Sequence, residues 1–178
     1  WGSGIFPAYY SSCCGGRAAT ANDAISSSKI NNIPPLLGRV GIDVCSNLDI
    51  SKWSTKRPAR DFNQRLKNSA KKFKLPELEK LQSVQSIQTH SRNKHGRTRA
   101  LLIQDDNKNK IVLSAKSFLE FSNSHDPTNK IWSSSINCHK EGESLVFNGR
   151  GMGHGVGLCQ YGAQKLAGQN NDWEEILK

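Results

Sequence analysis

Residues Asn148 to Gln164 read NGRGMGHGVGLCQYGAQ, a stretch dense in residues able to do chemistry. Glycine takes every second position from Gly149 to Gly157, with Arg150, Met152, His154 and Val156 between. In an extended chain successive side chains point to opposite faces. The spacing therefore predicts one face of bare backbone and another that carries Arg150, Met152 and His154 side by side. A bare face lets a ligand or a second backbone approach closely, and glycine weakens a strand that lacks such a reason. Gln160 and Tyr161 follow, two side chains suited to hydrogen-bonding and stacking on a polar ligand. Together they suit a cleft for something hydroxylated or amide-bearing. The plainer reading makes the glycines a strained turn and His154 a satisfied structural histidine. Nucleotide binding is disfavoured, because the dinucleotide pattern needs G-x-G-x-x-G. Leu158 stands where the third glycine would follow Gly153 and Gly155, and Val156 where it would follow Gly151 and Gly153. The Gly-Lys-Ser/Thr of a phosphate loop is absent too.

The stretch GRGMGHGVGLCQYGAQKLA resembles the C-terminal signature of the stage II sporulation protein D family, which includes the amidase enhancers. The usual form of that signature is G-x-G-x-GHGVG-x-x-QxGA followed by a helix. YYSSCCGGR (Tyr9 to Arg17) resembles the family's H-S-x-C-G-G segment, and Val44-Cys45 with Trp53 resembles its downstream Cys and Trp. HGRTRALLI (His95 to Ile103) resembles its G-R-hydrophobic strand, and SAKSFLEF and IWSSSIN the segments before the signature. The resemblance covers most of the chain and is strongest from Asn148 to Ala167.

That resemblance implies lytic transglycosylase chemistry on peptidoglycan. Glycan strands would be cut between N-acetylmuramic acid and N-acetylglucosamine, leaving an anhydro-sugar end. One carboxylic acid can serve there first as acid and then as base, with the sugar's own hydroxyl as nucleophile. A hydrolytic glycosidase more usually needs two carboxylates. The signature holds no Asp or Glu. The family's catalytic glutamate lies on a helix ahead of the Y-x-S-x-C-G-G segment, so the acid is expected upstream of Trp1. Residues 1–178 are thus expected to be the C-terminal part of such a domain, lacking that helix, truncated at the C-terminal end and inactive alone.

By the same resemblance Arg150, Gly153, His154, Gly155, Gln160 and Tyr161 are the substrate-binding residues, with Arg150 on a sugar carboxyl or acetamide. Cys14 and Cys45 occupy the paired cysteine positions, as a disulfide or as ligands of one metal. Ser11 stands where the family has histidine, which removes a zinc ligand. No cofactor is expected, with zinc left open. The implied partners are glycan strands and a cell-wall amidase, and the implied place is extracytoplasmic, in the cell envelope or periplasm, reached through a signal outside this chain. Export would favour the disulfide. A non-catalytic amidase enhancer or wall-binding module is the alternative reading.

Length allows one ordinary domain or two small ones. Met152 is the only methionine, so the chain reads as a fragment or processed product. No apolar run is long enough to span a membrane. The net charge of +10 suits nucleic acid or an anionic wall polymer equally well. For any one lysine a solvated basic face is the simplest account. Zinc-finger spacing and aromatic RNA-binding signatures are missing, so nucleic acid stays a distant alternative and not an expected partner. None of the five cysteines forms a C-x-x-C pair, which removes the strong zinc and redox signatures. Cys159 reads as a small buried hydrophobe on the signature helix.

Several elements must position these residues. Trp1 to Ala21 predicts a strand feeding a loop, and Asn22 to Asn32 with Pro34-Pro35 an irregular exposed segment. Pro58 opens a helix with Phe62, Leu66, Ala70 and Phe73 as its seam, interrupted by Pro76. Strands are expected over Val84 to His90, Thr98 to Gln104 and Lys110 to Leu113, with a hairpin turn at Asp105 to Asn109. Ser114 caps a short helix carrying Phe118 and Phe121. Strands near Ser134 to Cys138 and Ser144 to Phe147 turn at Glu141-Gly142. A helix from Leu158 to Ala167 stops at Gly168, and Asp172 to Glu175 forms a capping box. The fold class is α+β, mixed, mainly antiparallel sheets flanked by short helices.

Overall fold

The computed structural model describes residues 4–39, 41, 43–124 and 129–177. Its strands are β1 (Tyr10–Ser11), β2 (Lys52–Pro58), β3 (Val84–Arg92), β4 (Thr98–Asp105), β5 (Lys110–Ser114), β6 (Ile136–Glu141), β7 (Ser144–Arg150) and β8 (Leu158–Cys159). Its α-helices are α1 (Ala21–Ala24), α2 (Ala59–Phe73), α3 (Ala115–Asn123), α4 (Gln160–Ala167) and α5 (Trp173–Leu177). The chain divides into two compact units. One comprises Trp1–Lys52, Asn93–Arg97 and Arg150–Lys178, the other Trp53–Arg92 and Thr98–Gly149. The α+β class holds.

The second unit is a sheet in the order β2-β7-β6-β3-β4-β5, with β3–β4, β4–β5, β3–β6 and β6–β7 antiparallel. Helix α2 begins where Pro58 fixes the backbone and ends on Lys74, whose φ of 54° is left-handed and whose N–H bonds the Ala70 carbonyl. Its buried residues Ala59, Phe62, Leu66 and Ala70 recur every three or four positions, the period of one helical face. That face joins a core with Ile87, Leu101, Ile103, Leu145 and Phe147. Phe62 packs on Phe118 at 6.1 Å and on Phe147 at 5.4 Å between ring centroids. Phe73 completes the seam against Phe121 at 4.9 Å. The Ser114 hydroxyl accepts the Ser117 N–H and starts α3 as its residue type requires.

The β4–β5 turn is closed by a buried carboxylate. Asp105 accepts the Asn109 N–H at 2.8 Å, the Asn109 side-chain amide at 2.9 Å and the Gln82 N–H at 3.1 Å. Burial pushes its pKa up, but the bonds from Asn109, Gln82 and Asn107 outweigh that and hold it below the ordinary value. A depressed carboxylate contributes stability that is full above the unfolded pKa of about 3.9. That contribution fades as pH falls through the lower folded value. Urea midpoints followed downward from about pH 5 should therefore drop below about pH 4. Asp105→Asn should start less stable and show a shallower drop; an equal drop in both proteins would remove Asp105 from the acid response.

The first unit is assembled from distant segments. β1 pairs with β8 in parallel, Tyr10 opposite Leu158 and Ser11 opposite Cys159. Cys13 and Met152 exchange both backbone bonds, at 3.1 and 2.8 Å. Ala19 donates to Gly155 at 2.8 Å and Tyr161 to Ser12 at 3.0 Å. Ala19, Ala21, Leu36 and Val156 form a small buried apolar cluster beside them.

Some expectations need correction. Within the predicted N-terminal strand only Tyr10–Ser11 is extended, and Trp1–Ser3 lie outside the described residues. The segment from Asn22 to Pro35 is not irregular throughout, since it holds α1 and 3-10 turns at Lys29–Asn31 and Pro34–Leu36. The Thr20 hydroxyl accepts the Asp23 N–H and so nucleates α1. Helix α4 starts at Gln160 and not at Leu158, because Leu158 and Cys159 pair with β1 and the Cys159 sulfur takes the Gly162 N–H as a cap. The capping box is present: Asp172 and Glu175 bond each other's N–H at 3.0 and 2.8 Å. Among the described residues no helix is long and apolar enough to cross a membrane.

Candidate functional site

The glycine run is extended only as far as Arg150, the last residue of β7. From there Gly151, Gly153, Gly155 and Gly157 take φ of 82°, 99°, 73° and 70°. The alternating faces predicted for a strand do not form. Two of these glycines explain the geometry. A Cβ on Gly157 would lie 2.0 Å from the Tyr9 carbonyl oxygen, and one on Gly155 would lie 2.6 Å from the Arg97 guanidinium. Their bare faces are thus filled by the chain's own backbone and by a buried arginine.

Arg150, Met152 and His154 consequently part company. Arg150 is exposed and reaches the Ser46 carbonyl at 3.5 Å. Met152 packs on a cluster of cysteines. His154 is half-buried, edge-on to Tyr9 with ring centroids 6.3 Å apart. Its Nδ1 accepts the Val156 N–H at 3.0 Å, so the neutral ring carries its proton on Nε2. Burial first, and the Arg97 charge second, lower its pKa, against a bond to the Tyr10 backbone that raises it. His154 is therefore neutral at pH 7 and braces backbone on both sides. This geometry matches the plainer reading of His154. His154→Ala should lower unfolding stability by about 1–3 kcal/mol, the cost of unpaired backbone groups. A wild-type melting temperature in that variant would return His154 to the cleft role.

Gly153 and Gln160 are exposed, Gly155 is buried, and Tyr161 is half-buried against the cysteines. Tyr10, opposite Leu158, is an exposed aromatic of this unit, 64% exposed.

Behind this surface lie four buried thiols, Cys13, Cys14, Cys45 and Cys159. Cys13, Cys14, Cys45, Cys138 and Cys159 are all free thiols in this structure. The Cys14 and Cys45 sulfurs are 3.4 Å apart. The sulfurs of Cys14, Cys45 and Cys159 and a carboxylate oxygen of Asp43 all lie within 4.8 Å of one another. Backbone N–H groups of Cys14 and Gly162 reach the Cys159 sulfur at 3.4 and 3.3 Å, and that of Gly16 reaches Cys45 at 3.3 Å. Asp43 accepts the Cys45 N–H at 3.0 Å. Hydrogen bonds from Cys13 and Cys14 lower the Cys159 and Cys45 pKa values, while Cys13 and Cys14 are raised chiefly by their bonds to Cys159 and Cys45. Cys138, in the other unit, is pushed up to about 12 by burial and is a poor nucleophile.

Arg97 stands beside the thiols, 1% exposed. One terminal nitrogen donates to the Cys14 and Arg17 carbonyls at 2.7 and 3.1 Å, the other to Gly153 at 2.9 Å. Its Nε has no partner.

Residues 20–157 match a family described as a domain of unknown function, DUF8618. The chain belongs to the DUF8618 family. It is also 28% identical over 174 residues to an uncharacterized protein of Brachyspira hyodysenteriae, which covers 98% of this chain and 41% of the relative. The chain thus spans about two fifths of that protein's length. The DUF8618 segment contains Asp43, Cys45, Arg97 and His154, whereas Cys14 and Cys159 flank it.

Sequence reasoning brought Cys14 and Cys45 together but passed over Asp43, Arg97 and Tyr10, and took Cys159 for an inert apolar residue. No spacing rule connects Cys14 to Cys159, which are 145 residues apart. Their one shared signal was that both sit next to the glycine-bearing motifs.

Proposed function

We propose that this DUF8618 protein acts on the glycan strands of peptidoglycan in the manner of stage II sporulation protein D, as a lytic transglycosylase-like domain. One observation carries the reading. Tyr9 to Arg17 and Arg150 to Ala167, the two segments on which that resemblance rests most, are joined through the β1–β8 ladder and the Cys13–Met152 bridge. Exposed Tyr10 then offers an aromatic face to a sugar ring. Gln160 and Arg150 offer hydrogen bonds to acetamide and carboxyl groups. Gly153, Gly155 and His154 shape the backbone beneath them, and Tyr161 anchors α4. In this reading the general acid is expected outside residues 1–178.

The non-catalytic reading, an amidase enhancer or wall-binding module, draws support from the absence of any carboxylate among these surface residues. Purified cell-wall sacculi separate the two. A form that carries the general acid should bind them and release anhydro-muropeptides detectable by mass spectrometry, while Trp1–Lys178 alone releases none. Tyr10→Ala should weaken sacculus binding about 2- to 10-fold, the range of one lost aromatic contact. Binding without anhydro products, together with faster cleavage by a cell-wall amidase, would favour the enhancer. No binding by either protein would overturn both readings.

A further inference from the structure

We infer that Cys14, Asp43, Cys45 and Cys159 are the four ligands of one structural zinc-class ion, and that buried Arg97 is its counter-charge. This site is independent of what the exposed surface binds. Thiolate sulfur with one carboxylate oxygen is a donor set for zinc, and the set is closed at four. A tetrahedral ion with Zn–S bonds of about 2.3 Å holds its sulfurs about 3.8 Å apart. The Cys14–Cys45 separation of 3.4 Å already has that scale, and no pair of donor atoms exceeds 4.8 Å. The donors come from three chain segments, and three backbone N–H groups already point at two of the sulfurs. Such outer bonds fix ligand orientation in metal–thiolate sites. With all four positions taken by protein, no place remains for a reacting water, so the ion's role is structural.

Charge gives the second argument. A buried cation is costly without an opposite charge. Arg97 is buried, its hydrogen bonds go to neutral carbonyls, and its Nε is unpartnered. Three thiolates and a carboxylate on a divalent ion leave two negative charges, which the guanidinium partly offsets. On binding, each protonated ligand thiol loses its proton to solvent, and no oxidation takes place. Cys13, buried beside the set, is outside it.

Metal analysis of the wild-type chain, purified with reductant and then given zinc, should find one ion per chain. Cobalt should give near-ultraviolet thiolate charge-transfer absorption and the intense visible bands of a tetrahedral site. Cys159→Ser and Asp43→Asn should weaken zinc more than the roughly 100-fold that loss of an outer partner reaches. Cys13→Ser should keep one ion per chain. Arg97→Gln should weaken zinc roughly 10- to 100-fold, with Arg97→Lys recovering part of the loss because the charge is kept. A wild-type chain that takes up no zinc and gives no cobalt charge-transfer band overturns the site, and needs no variant to fold. A Cys14–Cys45 disulfide in metal-free, fully folded protein overturns it as well. Equal zinc affinity in Arg97→Gln and wild type removes Arg97 from it.

Discussion

Gly157→Val is expected to dismantle the ladder between β1 and β8. The backbone there has φ of 70°, a conformation that costs an L-residue about 1–2 kcal/mol by itself. The new Cβ would also sit 2.0 Å from the Tyr9 carbonyl oxygen, the group that accepts the Leu158 N–H at 3.0 Å. Backbone cannot yield as a flexible side chain can. Either Tyr9 moves away and the ladder opens, or Gly157 flips and Leu158 loses its partner. Both routes also disturb the cap that Cys159 gives α4. The expected loss exceeds about 4 kcal/mol, in the range reserved for named backbone and core defects. Amide exchange measured by mass spectrometry should show lost protection at Tyr10–Cys14 and Leu158–Tyr161, with protection kept across β3, β4 and β5. A variant with wild-type protection at Leu158 would show that the close approach is not rigid.

Phe62→Ala should strike the second unit as hard. Phe62 is fully buried between Phe118 and Phe147, and its helix meets the sheet there. Removing the ring loses its transfer energy and leaves a cavity that three elements would have to collapse to fill. Such changes cost about 3–5 kcal/mol. Ile87→Val, at a neighbouring core position, should cost only about 0.5–1.5 kcal/mol. Urea unfolding of the two variants decides this: equal midpoints would mean that Phe62 is not central to the core.

Local rules made much of the second unit legible. The Phe62-Leu66-Ala70 seam, the Asp105–Asn109 turn, the Ser114 cap and the strand pair around Glu141 each depend on neighbours within a few residues. The glycine run was misjudged for the opposite reason. Alternation in sequence looks like a strand, yet Gly157 and Gly155 take positive φ where Tyr9 and Arg97, from far along the chain, occupy the space a Cβ would need. Arg97 entered the sequence reading only as part of the HGRTRALLI segment, just ahead of β4. Only tertiary structure shows that it is buried among carbonyls, and composition gives no hint of Asp43 beside Cys45 and Cys159.

The short insert Asn93–Arg97 lies between β3 and β4 yet belongs to the unit made by the two ends of the chain. This has a consequence for how the protein is born. A ribosome delivers Cys13, Cys14 and Cys45 first, then the whole second unit, and Cys159 only after it. At about 5–20 residues per second, the early thiols wait on the order of 10 s for their last partner. The sheet of β2 to β7 has its strands within one stretch of sequence and can close in that interval. The end-built unit cannot, since β1 has nothing to pair with until β8 emerges. Damage to the nascent chain, by oxidation or by a wrong metal, therefore has its window before Cys159 emerges, and the segment from Arg150 onward decides whether the unit that holds the early thiols can close.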